Sequence, residues 1–149
     1  MTVPSGDEIA RIVGRSYELW NADDRDGWLA HWKSVTPGHH TLEDPIGTPA
    51  KHGWDILAEV WDRTGTDRLY ITVERIIVCG NEAAAVCRNE GTVRGRSVVI
   101  DSVDLYRFGE DGSTHTRSFW QIPDGLPYGQ WTAATGTGAG SAAGPGSAG

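Results

Sequence analysis

Apolar positions recur at two different periods in the two halves of the chain. Ile9, Ile12, Val13, Ser16 and Trp20 fall three or four residues apart, the spacing of one helical face. Ser5 precedes this run with Glu8 three residues on, the pattern of a capping box. Asn21-Ala22-Asp23-Asp24 interrupts the helix, and a second, short helix carries Trp28, Leu29 and Trp32. Val35-Thr36-Pro37-Gly38 reads as a loop. His39 to Glu43 reads as a short strand stopped at Asp44-Pro45. Gly53 to Trp61 reads as a third helix, with Ile56, Leu57, Val60 and Trp61 on one side.

The second half changes to strand character. Leu69 to Cys79 is rich in β-branched residues, and Gly80-Asn81 turns it into a second run, Glu82 to Gly91. Arg94-Gly95-Arg96 turns again into a long strand, Ser97 to Phe108. Gly109-Glu110-Asp111-Gly112 carries the Asp-Gly hairpin signal, and Ser113 to Gln121 returns antiparallel. Helices followed by a strand meander predict an α+β fold: three helices packed on a curved antiparallel sheet with an open end.

Composition narrows the function. The 149 residues are enough for one domain with a real core. A domain is expected over residues 1–131, and a Gly/Ala/Ser tail over 132–149, where no apolar periodicity offsets the entropy of ordering. The net charge is −7 and Lys and Arg never cluster, which argues against a nucleic-acid or anionic-membrane partner. No run of 18 apolar residues predicts a membrane span, and the N-terminus has no apolar stretch after a basic start. Cys79 and Cys87 suit a reducing compartment and have no metal-site spacing. The expected location is cytoplasmic. Seven Trp are many for this length.

Two carboxylates draw attention. In the long strand Val98, Ile100, Ser102, Asp104, Tyr106 and Phe108 share one face. That face is mostly apolar and should line the interior. A carboxyl there loses hydration, so its pKa rises, and a protonated carboxyl can donate to a developing oxyanion. The alternative is a partnered structural Asp. Asp44 ends the short strand, held extended by Pro45, and alternation puts Glu43 and Asp44 on opposite sides. At a cavity mouth Asp44 is a candidate general base; otherwise it starts an Asp-Pro turn.

The run Glu43-Asp44-Pro45-Ile46-Gly47, with Gly53 after it, resembles the ketosteroid isomerases and SnoaL-like polyketide cyclases of the nuclear transport factor 2-like superfamily. The resemblance also runs through Asn21 to Gly27, Asn81 to Ala84, Arg94-Gly95-Arg96 and Val103 to Phe108, and covers roughly residues 8 to 121. It implies a cone of three helices on a strongly curved sheet, a deep apolar pocket, no cofactor, and a homodimer. It also implies a hydrophobic, polyketide-like small-molecule substrate. In the steroid isomerases one Asp moves a proton between carbons, while a Tyr and a protonated Asp hold the oxygen that gains charge. The matching positions are Asp44 for the base and Asp104 for the neutral donor. The family's Tyr falls at Ser16, with Tyr17 next; one position turns a helical side chain by about 100°. Tyr17 follows Val13 at i+4, so it reaches the cavity edge as a replacement donor, or else serves as a surface or interface aromatic. In epoxide-opening relatives an Asp pairs with a Glu that would fall near Tyr70 and Ile71, where no acid stands; Glu74 lies at least three residues along.

The resulting reading is a cyclase or isomerase working by acid/base catalysis with Asp44, Asp104 and Tyr17. Its rivals are a steroid-type double-bond shift and a non-catalytic binding or dimerisation module. Trp20, Trp61 and Trp120 are expected to shape the substrate, together with Tyr106 and Ile100. Trp28 and Trp32 are assigned to the core, and Trp131 to the junction with the tail. His39-His40 has no partner at ligand spacing, so no metal is expected.

Overall fold

A computed structural model describes residues 2–64, 67–121 and 123–125. The tail expected over 132–149 and Trp131 lie outside these described residues. Helix α1 spans Gly6–Asn21 and α2 spans Arg25–Val35. Strand β1 (His39–Glu43) and the two-residue β2 (Lys51–His52) follow, then α3 (Asp55–Thr64). The meander is β3 (Tyr70–Cys79), β4 (Glu82–Val93), β5 (Arg96–Phe108) and β6 (Ser113–Trp120).

The six strands form one sheet in the order β2-β1-β6-β5-β4-β3, open at both edges. The fold is α+β, as expected: three helices on a sheet that is not closed. The sheet is mixed rather than antiparallel throughout, because β1 joins β6 in parallel, His39 opposite Ser113 and Glu43 opposite Arg117. These two strands are separated by nearly half of the chain, so no hairpin dictates their relative direction. Helix α3 starts at Asp55 instead of Gly53. Gly53 has φ +94°, a left-handed conformation no helix continues, and its N–H donates to His40 O at 2.9 Å. It thereby closes β2 onto β1. Strand β2 is too short to leave a period in the sequence. Among the described residues no helix is long and apolar enough to cross a membrane.

The capping box forms: Ser5 N donates to Glu8 Oε2 at 2.7 Å, and Glu8 N donates to Ser5 Oγ at 3.4 Å. Helix α1 lies on β3 and β4. Its inner stripe, Ile9, Val13 and Tyr17, packs on the small side chains Ala83, Ala85 and Cys87 of β4. Small residues there let the helix approach closely, which brings Tyr17 down toward β5. The C-terminal end of α1 is pinned to β3. Asn21 Nδ2 donates to Ile71 O at 2.7 Å, and Ile71 N donates to Asn21 Oδ1 at 2.8 Å. Trp20 Nε1 donates to Leu69 O at 2.9 Å. The Asn21 amide therefore pairs with Ile71 as a neighbouring strand would.

Replacing Asn21 with Ala removes both bonds and leaves two backbone groups without partners. Urea unfolding should show a loss of about 1–3 kcal/mol; a loss under about 0.5 kcal/mol would mean that the clamp does not hold α1.

Candidate functional site

Between the helices and the sheet lies a cavity of about 180 Å³. Strand alternation puts His40 and Leu42 of β1, Thr116, Ser118 and Trp120 of β6, and Ile100, Ser102, Asp104 and Tyr106 of β5 on its wall. Helix α1 adds Ser16, Tyr17 and Trp20, and α2 adds Trp28 and Trp32. The lining is largely apolar and aromatic, and two of its carboxyls, Asp44 and Asp104, carry hydrogen bonds from neighbouring lining residues.

Asp44 follows the end of β1 and continues the face of His40 and Leu42 into the cavity. Glu43 faces the other way, where it accepts from His115 Nε2 at 2.8 Å and Arg117 Nε at 2.9 Å. Asp44 Oδ1 accepts from Trp120 Nε1 at 2.6 Å. Burial raises the Asp44 pKa, opposed by that indole bond and by the charge of Lys51.

Asp104 stands opposite Ser118 in the β5–β6 ladder. Its Oδ2 accepts from Tyr17 Oη at 2.6 Å, and Tyr17 Oη lies 2.7 Å from Tyr106 Oη. Burial pushes the Asp104 carboxyl up to about 6; the Tyr17 and Ser118 hydrogen bonds pull it down, and the Asp44 charge adds to the rise. The shift has the direction expected for a carboxyl on an apolar face. At pH 7 it leaves the group mostly ionised, and below about pH 6 mostly protonated. Burial also raises both phenols well above their ordinary value, so Tyr17 and Tyr106 are neutral.

Counting hydrogens shows what protonation of Asp104 changes. With Asp104 ionised, the three-oxygen chain has two hydrogens, and its two contacts use both: Tyr106 donates to Tyr17, and Tyr17 donates to Asp104. With Asp104 protonated, a third hydrogen is left over. All three residues line the cavity, so that hydrogen is available to an oxygen bound there. Ser16 offers no such donor, because its hydroxyl bonds back to Val13 O at 2.7 Å.

Seven of the eight residues singled out from the sequence meet at this cavity: Tyr17, Trp20, Asp44, Ile100, Asp104, Tyr106 and Trp120. Trp61 does not line it. Helix α3 turns Leu57, Val60 and Thr64 toward the cavity, and Trp61 is rotated from Val60 by about 100°. Its ring packs 4.8 Å from Trp20 and 5.5 Å from Trp28, with the Arg68 guanidinium 4.4 Å from its centroid. Trp28 and Trp32, assigned to the core, are both core and wall. Trp32 stacks on Tyr106 at 5.7 Å and meets His40 edge-on at 5.3 Å.

Sequence reasoning weighed His40 only as a metal ligand and passed over Lys51 and Asp67. His40 is buried in the wall, where burial lowers its pKa to about 4 and leaves it neutral. Its place opposite Thr114 depends on the parallel β1–β6 pair, which no local pattern announces. Asp67 adds a third lining carboxylate. Glu74, at the bulge of β3, is exposed and outside the lining. Among the described residues no three His, Cys, Asp or Glu side chains converge as a metal site requires.

The sequence profile of the SnoaL-like domain matches residues 13–114. No curated protein matches. Among solved structures the chain is similar to SalBIII, an epoxide hydrolase/cyclase-like enzyme of pyran ring formation in the polyether salinomycin. The identity is 22%, over 75% of this chain and 89% of that one, with a TM-score of 0.64. It is equally similar to a protein of Jannaschia sp. CCS1 described as a SnoaL-like polyketide cyclase, at 22% identity, 79% and 88% coverage and a TM-score of 0.64. RV0760c of Mycobacterium tuberculosis matches at 22% identity, 76% and 94% coverage and a TM-score of 0.61. At these identities the likeness establishes a shared nuclear transport factor 2-like fold.

The raised Asp104 pKa has a consequence for stability. The folded value of about 6 lies above the ordinary 3.8, so the native state holds its proton more tightly than the unfolded chain. The associated stability is fully present below the unfolded pKa and is lost as the pH rises through about 6. Asp104→Asn should therefore stabilise the fold at pH 8 by about 2–3 kcal/mol and have little effect at pH 4. Equal effects in urea melts at both pH values would contradict the assignment.

Proposed function

The chain belongs to the SnoaL-like domain family, and from that premise we propose that it is a cofactor-independent cyclase or isomerase of a hydrophobic, polyketide-like small molecule. The observation that carries this reading is two carboxyls facing one aromatic cavity, one of them joined to a chain of phenols; burial raises the pKa of both. Asp44 takes a proton from the substrate or relays it. The spare hydrogen of the protonated Asp104–Tyr17–Tyr106 chain goes to the substrate oxygen that gains charge. Such a donor, aimed from a water-poor wall, contributes about 3–4 kcal/mol to transition-state stabilisation. Tyr17 thus takes the part of the family Tyr that falls at Ser16. Trp20, Trp28, Trp32 and Trp120 fold the substrate into a reactive shape.

The lining fits a substrate that is mostly apolar, with few oxygens, and offers no cluster of cations for a phosphorylated one. The pyran-ring chemistry described for SalBIII favours ring formation. A steroid-type double-bond shift uses the same proton path and is the second reading; the Asp44, Asp104 and Tyr17 arrangement supports it. For assembly we propose a homodimer. Tyr70, Ile77, Val99 and Phe119 are exposed, and the strand register puts all four on the sheet face opposite the cavity.

Proton abstraction next to a carbonyl belongs to the double-bond shift and to ring closure through an enolate, and it tests Asp44 as a base without the natural substrate. With 2-tetralone in deuterated buffer, the wild-type protein should speed exchange of the α-hydrogens, read by proton NMR. Asp44→Asn should lower that rate by about 10²–10⁴-fold. The enzymatic rate should fall above about pH 6, as Asp104 loses its proton, and fall again in acid, as Asp44 gains one. Exchange that is unchanged in Asp44→Asn would overturn the role of Asp44 as base.

A further inference from the structure

The chain has eleven Arg and two Lys. Lys33 is exposed, and Lys51 is only 6% exposed, the one buried Lys or Arg among the described residues. Burying an ammonium is costly unless a charge or hydrogen-bond acceptor compensates it. The loop between Asp44 and Lys51 supplies both. It leaves β1 at Asp44, is held to β6 by Ile46 N donating to Ser118 O at 2.8 Å, and is tightened by Thr48 Oγ1 donating to Pro45 O at 2.7 Å. It then returns as β2, with Lys51 paired to Leu42. This path folds the Lys51 side chain back over the end of β1, where Nζ donates to Asp44 O at 3.4 Å. The ammonium so placed sits beside the residue read above as the proton acceptor.

We propose that Lys51 is a positioning residue for Asp44: its buried ammonium anchors the strand end that aims the carboxyl into the cavity and favours the ionised, proton-accepting form. The proposal rests on the reading of Asp44 as the base. Other groups around Asp44 do not supply this charge. Trp120 of β6 donates a neutral hydrogen bond. Asp104 and Tyr106 of β5 oppose a second negative charge. Glu43, with His115 and Arg117, is on the far face of the sheet. Arg63 of α3 bears on Lys51, disfavouring its charged form. Burial also weakens the Lys51 charge, and Asp44 restores it, so the effect between the two is mutual. The ammonium does not line the cavity, so its action on a substrate passes through Asp44.

The Trp120 indole offers a built-in reporter, since its N–H donates to Asp44 Oδ1. In a nitrogen–proton correlation spectrum its signal is identified by its loss in Trp120→Phe. The titration step belonging to Asp44 is the one that vanishes in Asp44→Asn. Lys51→Met should move the midpoint of that step up by about one pH unit or more. Lys51→Gln should do the same, and keeps the test open if the Met variant folds poorly. Lys51→Arg should leave the midpoint within about 0.3 of a unit, because the charge is kept. Unmoved midpoints in folded Lys51→Met and Lys51→Gln would overturn the proposal, as would an equal shift in Lys51→Arg. The titration needs no substrate. A failed Lys51 result leaves the Asp44 reading standing, and ketone exchange that survives Asp44→Asn refutes that reading alone.

Discussion

The hydrogen bond from Tyr17 to Asp104 joins the first helix to the longest strand across 87 positions of the chain. Much of the molecule serves to make it possible. The alanines of β4 admit α1 at close range, the Asn21 clamp fixes the helix end, and strand alternation turns Asp104 inward. Because the bond is short and enclosed by aromatic rings, it organises polar groups in a space that otherwise favours apolar ones. It extends to Tyr106, whose ring stacks on Trp32, so the polar chain and the aromatic wall hold each other in place. The protonation state of Asp104 then sets how many hydrogens the chain can offer.

This arrangement works against stability. A carboxyl that ionises only near pH 6 reports an environment that resists its charge, and Asp44 is raised in the same direction. The fold tolerates both because a large aromatic core surrounds them. Trp20, Trp28 and Trp61 meet ring to ring within 5.5 Å, and Trp61 stands behind the cavity wall as its support. A site that costs stability at the pH where the rest of the fold is sound is a common mark of function. The two carboxyls differ in kind: Asp44 sees a neutral indole and a nearby ammonium, and Asp104 sees phenols and a serine. Unequal surroundings suit two groups that exchange opposite roles in proton transfer.

The sequence made the strand-borne parts of the site legible and the loop- and pairing-borne parts obscure. Period-two alternation placed Asp104, Tyr106 and Ile100 on one inner face, and it separated Asp44 from Glu43. Helical spacing placed Tyr17 and Trp20. The same spacing misplaced Trp61, since a stripe wide enough to include both Val60 and Trp61 does not say which of them meets the cavity. Lys51 carried no signal, because a two-residue strand has no period and its partner lies seven positions away around a loop. His40 depended on a parallel pairing between distant strands, which local patterns do not encode. The start of α3 slipped because Gly53, read as a helix opener, adopts a left-handed turn.

Two carboxyls whose surroundings resist ionisation face one cavity, and the proposed chemistry depends on their protons. Carbon-13 NMR of the aspartate carboxyls, titrated from pH 3 to 9 and assigned with Asp44→Asn and Asp104→Asn, measures this directly. The Asp104 midpoint should lie near 6 and fall in Asp44→Asn, and the Asp44 midpoint should lie above the ordinary carboxylate range. Two independent midpoints near the ordinary value of 3.8 would contradict it.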